Sequence, residues 1–106
     1  MKIEIKPISV NVCWQGRRFA TKNYKDWTND MLMLMPKRTM IKGDCDVDII
    51  LNLKSTVRGD IDNFLKPIID CMVKKGWLED DRYIQSLNVQ KVKSKIESIE
   101  VEIYKN

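Results

Sequence analysis

Two consecutive patterns limit the architecture most. Residues 44 to 53 read DCDVDIILNL, in which Val47, Ile49, Leu51 and Leu53 alternate with other residues. That period of two predicts a strand with one apolar face. Downstream, Leu65, Ile68, Ile69, Met72 and Val73 recur at i, i+3, i+4, i+7 and i+8. That spacing predicts an amphipathic helix over residues 63 to 75. Pro67 lacks an N–H and belongs in a first turn, so the regular helix begins only around Phe64 to Lys66. Gly76 is placed to end it. Two further strands are expected near 83 to 93 and 97 to 104, with Ser94-Lys95 between them as a tight antiparallel turn.

Upstream, Ile3 and Ile5 alternate with charged residues until Pro7, a short strand pattern. Residues 9 to 20 hold Val10, Val12, Trp14 and a turn candidate at Gly16, and predict a loop or irregular hairpin. Thr21 is a candidate N-cap for a helix over residues 22 to 34. Its buried stripe would be Tyr24, Trp27, Met31 and Leu34, with Pro36 ending it. The order is β-(hairpin)-α-β-α-β-β, an α+β fold with a mixed sheet. At 106 residues the chain is expected to form one domain, residues 1 to 106.

Composition removes several function classes. There is no histidine. Ser-His-Asp and Cys-His triads, HExxH zinc sites and histidine-based nuclease fingers are therefore excluded. Three widely spaced cysteines, Cys13, Cys45 and Cys71, form no CxxC pair and suit free thiols in a reducing cytosol. No run of 18 apolar residues and no signal-peptide pattern is present. Lys and Arg number 19 against 15 Asp and Glu, a net charge of +4. The basic residues cluster at Arg17, Arg18 and Lys22, at Lys37 and Arg38, and at Lys91, Lys93 and Lys95. This favours a polyanionic partner.

The densest polar cluster is Arg58-Gly59-Asp60-Ile61-Asp62-Asn63, where the long strand meets the second helix. In extended backbone Asp60 and Asp62 would point to one side. Converging carboxylates suit Mg2+, and Asp80 or Asp81 could add a third. Lys66, four residues beyond Asp62, would share its helix face and could offset charge on a phosphate. These are the parts of metal-assisted phosphodiester hydrolysis. The plainer readings are that Asp60, Asp62 or Asn63 caps the helix, that Asp62, Lys66, Asp70 and Lys74 form a solvated ladder, and that Asp80-Asp81 is a turn. Trp77 reads as core. Asp44, Asp46 and Asp48 alternate, and read as edge or strand-end charges rather than a Ca2+ loop, since Ile49 stands where that loop needs glycine.

Taken together, Asp60-Ile61-Asp62-Asn63, Lys66, Asp70, Gly76-Trp77 and Asp80-Asp81 followed by Ile84 resemble the catalytic block of RusA-type Holliday junction resolvases. Pro7-Ile8-Ser9-Val10-Asn11 with Trp14 is similar to that family's opening. The resemblance implies a homodimeric endonuclease that nicks four-way DNA junctions symmetrically. It implies Mg2+, with Mn2+ as a substitute, held by Asp60, Asp62 and Asp81, and a functional lysine at Lys66. It also implies work inside a bacterial or phage-infected cell. Residues 55 to 59 are less basic than the family pattern. The competing readings are a junction-binding module without cleavage and an unrelated α+β protein.

Overall fold

The computed structural model describes residues 1–10, 14–15 and 19–106. Its eight elements follow the expected order: β1 (Lys2–Ile3), β2 (Trp14–Gln15), β3 (Phe19–Ala20), α1 (Lys22–Leu34), β4 (Cys45–Leu53), α2 (Leu65–Lys74), β5 (Ile84–Lys93) and β6 (Ser98–Lys105). Strands β2 and β3 pair as a short antiparallel ribbon, Trp14 opposite Ala20. Asn11, Val12, Cys13, Gly16, Arg17 and Arg18 lie outside the described residues.

The other four strands form one mixed sheet in the order β1-β6-β4-β5. Strand β4 is central. It pairs parallel with β5, Leu53 opposite Lys93, and antiparallel with β6, Ile49 opposite Val101. The tight antiparallel turn expected between β5 and β6 is not formed, because both strands flank β4 rather than each other. The reason is α2. As a crossover helix it returns the chain parallel to β4, so β5 takes one edge of β4 and β6 must cross to the other. Residues 94–97 make that crossing, and the Ser94 N–H donates to the Leu53 carbonyl at 2.8 Å.

The alternation in β4 is realised: Val47, Ile49, Leu51 and Leu53 are buried beside Ile99, Val101 and Ile103 of β6. Helix α1 begins as expected, with the Thr21 Oγ1 accepting the Tyr24 N–H at 3.2 Å. Tyr24, Trp27 and Met31 are buried, but Leu34 is half exposed and Met35 takes its place in the core. Trp27, Met31 and Met35 follow one another at i+4, and Leu34 sits to one side of that line. The Trp27 Nε1–H donates to the Lys6 carbonyl at 2.7 Å, tying the N-terminal segment to α1.

A 3-10 turn over Ile61–Phe64 leads into α2. Pro67 is then the third residue of α2, where an N–H has no intrahelical partner, so it costs no helix bond. Ile68 and Met72 are fully buried, while Leu65, Ile69 and Val73 are only half buried. Gly76, at φ 81°, closes the helix. Its N–H donates to Val73 at 3.0 Å, and the Trp77 N–H donates to Met72 at 2.9 Å, the paired bonds of a Schellman cap. Trp77 is core, as expected, and its Nε1–H donates to the Pro36 carbonyl at 2.9 Å. Among the described residues no helix is long and apolar enough to cross a membrane.

Candidate active site

The segment carrying Asp60 is held from three sides. The Arg58 guanidinium pairs with Glu97 at 2.8 Å, donates to the Pro7 carbonyl at 3.4 Å and lies over the Phe64 ring. On β5, the Lys91 ammonium donates to the carbonyls of Thr56 and Gly59. Lys91 belongs to one of the basic clusters of the sequence, but its charge serves this loop. Gly59 adopts φ +69°, and a Cβ there would sit 3.2 Å from Phe64 Cζ. Phe64 is buried under Arg58 and has little room to yield. Gly59→Ala therefore combines backbone strain with a tight contact, and is expected to cost about 1–3 kcal/mol in urea denaturation. A loss below about 0.5 kcal/mol would show that the turn relaxes freely.

Asp60 occupies the N-cap position of the 3-10 turn with extended backbone, φ −82° and ψ 146°, and its side chain makes no capping bond. Asp62 lies inside that turn. Both are exposed. The strand-like alternation expected from sequence does not apply, because the chain turns helical at Ile61; Asp60 precedes that turn and Asp62 lies within it. The capping reading is not realised by the Asp60 side chain. Lys66 projects from α2, and its Nζ pairs with Asp70 Oδ1 at 3.0 Å rather than with Asp62. That pair is largely exposed, worth about 0.3–0.5 kcal/mol, so it yields readily to a competing anion.

Asp80 and Asp81 stand beyond the other end of α2, at a second 3-10 turn over Asp81–Tyr83. Here one carboxylate does cap: Asp80 Oδ1 accepts the Arg82 N–H at 3.1 Å. That bond, followed by a contact with Asp81, holds the Asp80 carboxyl below its ordinary range. Asp81 is exposed at the first position of the turn. Asp70, Val73, Lys74, Asp80 and Asp81 line a shallow depression of about 230 Å³.

Helix α2, with 10 residues and so about 15 Å long, follows the turn that carries Asp60 and Asp62, and the chain that leaves it brings Asp80 and Asp81 beside Asp70. Among the described residues no three Asp, Glu or Cys side chains converge as a metal cage. One chain thus brings Lys66 next to Asp70 and Asp70 next to Asp80 and Asp81, but does not bring Asp81 to Asp60 and Asp62.

The remaining candidates add nothing to the margin formed by the loop before α2, α2 itself and the Asp81–Tyr83 turn. Asp46 and Asp48 are not edge charges, because β4 is the central strand. They lie on the sheet face opposite the apolar one, where Asp48 is directly across from Glu102 and Ile50 from Glu100. That acidic face disfavours DNA. Cys71 is fully buried, and burial pushes its thiol up to about 11, which suits core packing and not nucleophilic attack. Burial likewise raises Cys45. Sequence reading missed the positioning roles of Arg58 and Lys91; their targets are backbone carbonyls and a distant glutamate, which leave no local spacing to read.

No curated protein matches the chain significantly. The family described as "Endodeoxyribonuclease RusA" matches residues 12–104, a stretch that contains the loop, α2 and both acidic ends. The chain belongs to the RusA endodeoxyribonuclease family.

Proposed function

We propose that the protein is a homodimeric, Mg2+-dependent endonuclease that resolves four-way DNA junctions by paired symmetric nicks, each site drawing residues from both subunits. The observation that carries this reading is the division of the acidic residues between the two ends of α2. A two-fold axis across that margin would set Asp60 and Asp62 of one protomer against Asp81 of the partner subunit.

The margin itself supports such contact. Among the described residues β5 bonds to β4 alone, which leaves a 10-residue edge. Exposed unpaired edges favour strand addition. Leu87 is 39% exposed there, and Leu65, Ile69 and Val73 of α2 are only half buried. Antiparallel pairing of two β5 edges reverses one chain end for end, as the divided acids require.

The donor set fits a hard cation: carboxylate oxygens, exposed, without histidine or cysteine. Held by Asp60, Asp62 and Asp81 of the partner subunit, Mg2+ (or Mn2+ as substitute) would activate water and neutralise the phosphate. Arg58, Gly59 and Lys91 fix the backbone from which Asp60 projects. Asp80, engaged with the Arg82 N–H, orients the turn and leaves Asp81 as the presented carboxylate. The exposed Lys66 ammonium can leave its half-buried partner Asp70 and place a positive charge beside the scissile phosphate.

The test is a labelled four-way junction beside a linear duplex of the same sequence, with Mg2+ and with EDTA. Paired nicks in the junction alone, lost in EDTA, are expected. Junction binding without cleavage in either Mg2+ or Mn2+ would replace the enzyme reading with a binding module.

A further inference from the structure

We propose that Lys54, Lys93 and Lys95 form a clamp for the DNA backbone next to the active site, a role that rests on the nuclease reading. The three come from different segments. Lys54 follows β4, Lys93 ends β5, and Lys95 lies in the crossing to β6. The register brings them together, since Leu53 is opposite Lys93 and the Ser94 N–H donates to the Leu53 carbonyl. With Ser94 they line an open concavity of about 380 Å³ at the carboxyl ends of the two parallel strands. That end is where open sheets of this kind present ligands.

The charge there is uncompensated. All three lysines are exposed, and none is in an ion pair among the described residues. The acid of the same turn, Glu97, is half buried and paired with Arg58. The patch also lies near the chemistry. Lys93 is on the same face of β5 as Lys91, whose ammonium reaches the Gly59 carbonyl beside Asp60. Two residues of strand span about 7 Å, on the order of two nucleotide rises along one strand. The clamp therefore holds backbone phosphates that flank the site. Lys93 and Lys95 supply positive charge that residues 55 to 59 lack, from a turn some 40 positions downstream in the chain.

The experiment compares the wild-type chain with Lys54→Ala/Lys93→Ala/Lys95→Ala on a four-way junction and on a linear duplex, in EDTA, between about 50 and 200 mM salt. A control removes equal charge at Lys2, Lys25 and Lys105, which are exposed elsewhere. The clamp variant is expected to lower the slope of log K against log salt by about 2 to 3, and affinity by tenfold or more. The triple arginine variant restores the slope, and the control changes it by less than about 1. An unchanged slope in the clamp variant, or an equal loss in the control, overturns the clamp. If the wild-type chain binds no DNA at any salt, the nuclease reading falls and the clamp with it. If it binds DNA but cuts no junction, the slope alone still decides the clamp.

Discussion

Asp62→Asn is expected to lower the junction-cleavage rate by about 10³-fold while the junction remains bound. The substitution keeps the shape of the side chain and removes its charge. Asp62 is exposed on the 3-10 turn that precedes α2, so no buried contact is lost and stability should stay within about 0.5 kcal/mol. The fall should appear in single-turnover rates with enzyme in excess, which separates chemistry from binding. Removing one negative charge should tighten DNA binding slightly, because the site faces phosphates. A variant that cuts within about tenfold of the wild-type rate would reject Asp62 as a ligand and return it to the role of a helix-terminal charge.

The largest effect on stability is expected at Trp77. Trp77→Ala should cost about 3–5 kcal/mol, a large share of the roughly 5–15 kcal/mol available to a domain of this size. Trp77 is fully buried, and its Nε1–H donates to the Pro36 carbonyl. Its own N–H closes the end of α2 on Met72. Truncation leaves a cavity, frees the Pro36 carbonyl and loosens the exit from α2 that carries Asp80 and Asp81. Urea unfolding followed by circular dichroism would measure it. A loss under about 1.5 kcal/mol would mean that the surrounding core collapses around the gap. Trp77→Phe, which restores most of the volume but not the hydrogen bond, should recover more than half of the loss.

The fold was largely legible from periodicity. The limits of α1 and α2, the Thr21 cap, the Gly76 stop and the apolar face of β4 follow from local rules that act within one or two turns. What those rules could not give is which strands become neighbours. The pairing of β5 and β6 on either side of β4 depends on the handed crossover through α2, a property of the whole unit. The same limit applies at the candidate site. Asp60, Asp62, Lys66 and Asp81 stand out by residue type and spacing, and the family match covers them. That Asp60, Asp62 and Asp81 do not converge within one chain, and that Lys66 pairs with Asp70, appear only once the helix is placed. Arg58 and Lys91 were visible as charges, but their work in holding Gly59 and Asp60 needed the three-dimensional neighbours.

The most direct test of the shared site is subunit mixing. Asp62→Asn and Asp81→Asn chains, each inactive alone, are denatured together, refolded and given a labelled junction with Mg2+. Random assortment makes about half of the dimers mixed. In a mixed dimer with shared sites, one site holds both substitutions and the other holds none. The mixture should then nick one strand of each junction it cuts, where the wild type cuts two. If both variants are inactive alone and the mixture shows no recovery, each chain builds its site from its own residues, and the division of labour across the two-fold axis is wrong.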